Sequence, residues 1–298
     1  MHRAYDRPGI DPTAVTVLIP PGDTARVAWT LKRAGVLEAP LLFRAAAWWT
    51  RHEGPLRTGE YLFPAHASLG QILYILRHGA QVQHPATIPE GLTSAQIASI
   101  LNQLPAATGQ VLTPPEGSVL PQTYDYVYGT PRTAILARMQ AAMRSTLTQL
   151  WANRDPAIPL QTPRQAVILA SIVQQETPLV SEMPMIAAVY ENRLRQGMRL
   201  QADPTVIFAA SGGAQSAGLS ISRADLENQS AYNTYAHNGL PPGPICAPGV
   251  AALSAVLHPA DSDALYFVAM DDGTHRSVFS HSLRQHLENI KRFLDKDQ

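Results

Sequence analysis

Two closely spaced amphipathic helices, each punctuated by proline or glycine, fix the centre of this chain. Pro163 suits the first turn of a helix, where its missing N–H costs nothing, and the pattern predicts a helix over 163–177. Pro178 disfavours helical backbone at the residue before it and ends the run. Leu169, Ile172, Val173 and Glu176 fall at i, i+3, i+4 and i+7, so they share one face. A second helix is predicted over 182–196, with Ile186, Val189, Tyr190 and Leu194 inward and Gly197 as its stop. Asp203-Pro204 reads as the N-cap and first-turn pair of a third, over 205–210. Helices striped in this way need a common core. A length of 298 residues, 45% of them hydrophobic, supplies one large domain or two modest ones.

The flanks mix strands with helices. Residues 15–19 are a β-branched run closed by Pro20-Pro21-Gly22. Asp23 or Thr24 can then cap a helix with Val27, Ala28, Leu31 and Ala34 on its apolar side, ended by Gly35. Helices are predicted over 41–49 and 68–78, and strands over 61–63 and 82–88. The hexapeptide Ile19-Pro20-Pro21-Gly22-Asp23-Thr24 is echoed by Ile88-Pro89-Glu90-Gly91-Leu92-Thr93, and Thr93 with Gln96 makes a capping box. The echo is a β-α unit used twice, or a common strand-to-helix junction arising by chance. Residues 104–117, rich in Pro, Ala, Thr and Gly, read as a linker or long loop. A helix is predicted over 132–151. The last third adds an ordered Pro/Gly loop at 239–244, a helix over 250–257 and a hairpin of 265–270 with 276–280 across Asp271-Asp272-Gly273-Thr274. A closing helix over 282–294 follows. The fold class is α+β.

Several chemistries are disfavoured at once. Lys+Arg and Asp+Glu are 23 each, so no overall basic balance favours nucleic acid as the main partner. Cys246 is the single cysteine, which excludes an internal disulfide and a cysteine-based zinc site. There is no HExxH, and a zinc site from the separated His258, His275 and His286 is a weaker reading than structural histidines. A nucleophile elbow, a Walker loop and a dinucleotide fingerprint are missing. No apolar run is long enough for a membrane span; residues 40–49 are too few and contain Arg44. The polar start, residues 1–11, has no signal-peptide apolar region.

Glu176 stands out. A carboxyl on an apolar helix face is desolvated, which raises its pKa, and the negative end of the helix dipole acts in the same sense. Both favour the neutral acid near pH 7, the form that protonates a leaving-group oxygen. The competing reading is a Glu176 that pairs with an arginine or caps a neighbouring loop.

The motifs, taken in order, resemble those of the YceG-like family of endolytic murein transglycosylases. They are residues 168–177, Asn192-Arg193-Leu194, residues 197–206, Tyr232-Asn233-Thr234-Tyr235, residues 239–245, Pro248-Gly249, His258-Pro259 and Tyr266-Phe267-Val268, with Glu116-Gly117 and residues 120–124 matching more weakly. The likeness covers nearly the whole chain. It implies a small LysM-like βααβ region at 13–103 and a mixed α+β catalytic domain at 104–298. It implies cleavage of peptidoglycan glycan between N-acetylmuramic acid and N-acetylglucosamine without water, leaving a 1,6-anhydro end. The family's single catalytic glutamate corresponds to Glu176, and no cofactor or metal is implied. Glu116, Tyr124, Gln201, Asp203, Tyr232, Asn233 and Thr234 are the expected substrate-binding residues. Asp203 has a competing role as an N-cap, and Tyr232 as core.

The family's partners are glycan strands and peptidoglycan synthases, and its site is the periplasmic face of the bacterial inner membrane. The N-terminal anchor usual there would precede Met1. This sequence departs from the family at Gln174, where a Glu is frequent, at Cys246, and at Leu287, where an Asn often follows the histidine. A non-catalytic glycan-binding scaffold and an ordinary hydrolytic muramidase are the alternatives.

Overall fold

The structure, a computed structural model, describes residues 5–9, 11–270 and 272–293. Asp271 of the predicted hairpin turn, Leu294 of the closing helix and the last residues of the 104–298 region therefore lie outside the described residues. The chain divides into two compact units. One runs through Ala86 and takes in Pro105–Thr108 and Asp125–Pro131; the other holds Thr87–Leu104, Gly109–Tyr124 and the chain from Arg132 onward.

In the first unit, β1 (Val15–Ile19) pairs antiparallel with β2 (Gly59–Phe63), Val17 opposite Tyr61. Between them run α1 (Thr24–Arg33), α2 (Pro40–Trp49) and a 3-10 turn (Arg51–Glu53), and α3 (Leu69–His78) follows. Asp23 caps α1 through Arg26 N, and Ser68 with Gln71 closes a capping box on α3. Val17, Ile19, Leu31, Phe43, Tyr61, Phe63 and Leu73 form the core. The buried Arg77 guanidinium donates to Thr50 Oγ1, Glu53 Oε2 and the carbonyls of Ala47 and Gly54, so α3 is bolted to the turn after α2.

Strands β3 (Gln83–Thr87) and β4 (Thr123–Val127) pair with each other. The expected Thr93–Gln96 box starts α4 (Ser94–Gln103). The predicted linker at 104–117 is an ordered loop: Arg132, opening α5 (Arg132–Ala152), donates to the carbonyls of Leu101, Leu104 and Gly109, and Asn102 exchanges two bonds with Val111.

The second unit is organised on α6 (Pro163–Glu176). Sequence periodicity predicts one buried face, yet every residue from Ala166 to Val173 is buried. The small Ala170 and Ser171, off that stripe, allow neighbours to approach on the remaining sides, as in a fully enclosed helix. These neighbours are α5, α7 (Met183–Arg195), α8 (Asp203–Ala210) and α10 (Val250–Leu257). Gly197, at φ +66°, stops α7 as predicted. The Pro/Gly loop ahead of α10 is ordered because Ser171 Oγ accepts from Ile245 N while Ala247 exchanges backbone bonds with Gly91 and Leu92. A five-residue helix, α9 (Arg223–Glu227), was not expected. The hairpin of β5 (Tyr266–Ala269) with β6 (Ser277–Ser280) and the helix α11 (Leu283–Phe293) complete the unit.

Candidate active site

Glu176 is the last residue of α6, so its carboxyl emerges where the enclosed helix ends. It lines a cavity of about 360 Å³ together with Tyr190 and Arg193 of α7, Gln201, Asp203 and Tyr235. Tyr266, Phe267, Leu283 and His286 form the remainder of the wall. The lining is mainly polar, rather than the greasy pocket that an apolar helix face suggests.

Tyr190 is buried, and its hydroxyl donates to Glu176 Oε1 (2.5 Å). No protein group among the described residues bonds to Oε2. Burial lifts the Glu176 carboxyl to about 7, against the hydrogen bond from Tyr190. The Asp203 charge lifts it further and the Arg193 guanidinium lowers it. Near neutrality the group is therefore poised between acid and carboxylate, which is what proton donation followed by proton capture requires.

Arg193 is buried behind this pair. Its Nε donates to Leu265 O (2.7 Å) and its Nη1 to Leu200 O (2.6 Å), and the guanidinium sits 5.2 Å from the Tyr266 ring centre. The neighbouring Asn192 donates to the carbonyls of Ser262 and Ala264. These two side chains tie α7 to the segment leading into β5. His286 stacks on Tyr266, and its buried Nδ1 has no protein partner among the described residues. Burial and then Arg193 lower its pKa, which favours the neutral ring. No group of three or more His, Cys, Asp or Glu able to hold a metal lies together among the described residues.

Of the expected binding residues, Gln201 and Asp203 share the cavity with Glu176. Asp203 is not an N-cap: Ala202 holds that position, and the Asp203 carboxylate accepts from Tyr235 Oη at 2.6 Å. Gln201 has φ +50°, the left-handed region that costs a non-glycine residue about 1–2 kcal/mol. Thr234 and Asn233 are buried, with their polar atoms engaged by the protein. Thr234 O accepts from Gln201 N and its Oγ1 accepts from Ala202 N. Asn233 Nδ2 donates to the carbonyls of Leu226 and Asn228. Thr234 thus positions the 201–203 segment and Asn233 the turn after α9, and neither lines the cavity.

The other three stand elsewhere. Glu116 accepts from Ser94 N and Oγ at the start of α4, a favourable place for a carboxylate. Tyr124 is buried and donates to Leu120 O. Tyr232 packs its ring 4.9 Å from that of Phe208. Cys246 is fully buried, and burial pushes its thiol up and leaves it inert.

Tyr190, Arg193, Tyr235, Tyr266 and Phe267 line the cavity without being expected site residues, and His286, weighed above only as a zinc ligand, joins them. The available signal was Tyr190 itself: a hydroxyl predicted to point inward needs a buried partner.

Glu191 is a second perturbed carboxyl, fully buried next to Arg195 Nη2 (3.2 Å), with Oε1 unpartnered among the described residues. Burial raises it to about 8, overcoming Arg195. A carboxyl raised in the folded state destabilises as pH climbs from its unfolded pKa of about 4.3 to the folded one. Over that window it removes up to about 1.4 kcal/mol per pH unit. Glu191→Gln is expected to flatten the decline, so that the variant overtakes the parent in urea denaturation at pH 8. Parallel pH–stability curves would refute this.

An α+β frame thus carries a carboxyl poised near neutrality in a polar cavity, with a second carboxylate, Asp203, in the same lining. The model of the YceG-like family matches residues 17–292, and the chain belongs to that family. It is 27% identical to an endolytic murein transglycosylase of Bacillus subtilis over 95% of this chain and 85% of that one. A protein of the same name from Streptococcus pneumoniae is also 27% identical, over 93% of this chain but 58% of that one. The crystal structure of a YceG-like protein from Listeria monocytogenes matches 93% of this chain and 99% of its own at 27% identity, with a TM-score of 0.55.

Proposed function

We propose that this protein is an endolytic murein transglycosylase that cuts glycan strands of peptidoglycan outside the cytoplasm. The observation that carries the reading is Glu176, lifted to about 7 by burial and placed in a cavity open to a ligand. With Tyr190 donating to Oε1, the transferable proton resides on Oε2. Neutral Glu176 gives that proton to the glycosidic oxygen as the bond from C1 of N-acetylmuramic acid breaks. The carboxylate then takes the proton of the muramoyl 6-hydroxyl while that oxygen closes onto C1. Atoms balance without water, and Glu176 ends protonated. The sugar's 2-acetamido group relieves the charge at C1. Gln201 and Asp203 contact the sugars, and Thr234 and Arg193 hold these two residues in place.

Residues 13–103 are proposed as the LysM-like glycan-binding region and 104–298 as the catalytic one, with peptidoglycan synthases as partners. The site of action is the periplasmic face of the inner membrane. No helix among the described residues is long and apolar enough to cross a membrane.

The test is digestion of purified sacculi and mass spectrometry of the products. Anhydro-muropeptides are expected from the parent and not from Glu176→Gln; their absence from the parent leaves a non-catalytic scaffold. One observation favours a second reading: Asp203 is another carboxylate in the cavity, as hydrolysis by a carboxylate pair requires. Reducing ends in place of anhydro ends would establish it.

The acid role also fixes a pH profile. Glu176 must be protonated, so kcat/KM is expected to fall tenfold per unit above about pH 7. Asp203→Asn removes a charge that raises this group, and the falling limb should move to lower pH. A limb that stays put would disconnect Asp203 from Glu176.

A further inference from the structure

The first unit carries a face that the chemistry above does not use. Helix α2 buries Pro40, Phe43 and Ala47 and turns Leu41, Leu42, Trp48 and Trp49 outward, each more than half exposed. Its single polar residue is Arg44, which is exposed and has no acidic partner among the described residues. Just past the helix, Arg51 lays its guanidinium 4.5 Å from the Trp48 ring centre. Helix α1 packs on α2 and adds exposed Arg26, Trp29, Lys32 and Arg33, with Lys32 Nζ 5.3 Å from the Trp29 ring centre. Neither helix contains an acidic residue. Five cations and three of the four tryptophans thus gather on two short helices and the turn after them, in a chain of zero formal charge. A cavity of about 640 Å³ opens along α2, walled by Leu42, Ala45, Ala46, Trp49 and Leu69. Its acids are Asp6 and Glu53, and Glu53 is already bonded to Arg77.

We propose that the exposed side of α1 and α2 is a docking surface for an anionic lipid bilayer. Tryptophan rings settle at headgroup depth, leucines reach the acyl boundary, and lysine and arginine meet lipid phosphates. Charge complementarity selects this occupant. A sugar platform sets polar side chains beside its aromatic ring to bond the hydroxyls; α2 itself offers Arg44 alone, Arg51 covers Trp48, and beside Trp49 the Thr50 and Glu53 side chains are engaged by Arg77. A second copy of the face would set five cations against five.

The test mixes the chain with vesicles of phosphatidylcholine, with or without phosphatidylglycerol, at low and high salt, and separates bound protein by flotation. Binding is expected to the phosphatidylglycerol vesicles alone, to weaken with salt, and to shift tryptophan emission to the blue. Each cation near an anionic surface is worth about 1 kcal/mol, so Arg44→Glu should weaken partitioning about 30-fold. Trp48→Ser with Trp49→Ser should weaken it at least as much. All three positions are solvent-exposed, and circular dichroism with melting temperature checks each fold independently; if one variant unfolds, the other is read. Absent binding, equal binding to both vesicle types, or variants that bind like the parent would overturn the proposal. So would a variant that instead loses retention on purified glycan strands or dissociates a dimer.

Discussion

Glu176→Gln is expected to lower the rate of anhydro-ended product formation by about 10²–10⁴-fold, the usual contribution of a positioned acid–base group. The midpoint of that range is about 4 kcal/mol of transition-state stabilisation. The fold should survive. A Gln carbonyl can accept from Tyr190 as Glu176 Oε1 does, and removing a carboxyl that burial disfavours relieves a penalty above the group's unfolded pKa. The variant should therefore melt no lower than the parent at pH 8 while making almost no product. Activity within tenfold of the parent would move the chemistry to another residue, with Asp203 the first to examine.

The largest effect on stability is expected at Arg193. Arg193→Met keeps much of the side-chain volume and removes the donors to Leu200 and Leu265, together with the cation beside Tyr266. Hydrogen bonds from charged donors contribute about 1.5–3 kcal/mol each, so the loss should be about 3–5 kcal/mol, in the range of other broken buried networks. In urea this reads as a lower midpoint at unchanged slope. The lost charge also acts on catalysis: Arg193 lowers Glu176, so the falling limb of the pH profile should move upward. A stability change below about 1 kcal/mol would show that the segments before α8 and β5 are held by packing alone.

Much of this could be read from the sequence because local signals agreed. Capping residues, prolines and glycines mark most helices to within a residue or two, and the place of Glu176 at the end of α6 follows from the same signals. Three things stayed hidden, each for a physical reason. Helix α9 is too short for periodicity, although Ser222 and Asp225 form its capping box. The enclosure of α6 depends on small residues whose neighbours are remote in sequence. Most of the cavity wall is tertiary: Tyr235, Tyr266, Phe267 and His286 come from loops, a hairpin and a closing helix that no spacing rule connects to Glu176. Asn233 and Thr234 show the converse. Polar residues in a motif were expected at the ligand, but their side chains bond the backbone, and it is Gln201 and Asp203 that line the cavity.

Gln201 gives this arrangement its character. Its backbone sits in a conformation a side-chain-bearing residue avoids, and nothing in its own sequence would keep it there. Thr234 grips it from one side and Arg193, through Leu200, from the other. The segment behaves as a sprung latch closed by two distant hands. Damage to either releases tension as well as a bond, so lesions far from the carboxyl would be felt in the cavity as a change of shape.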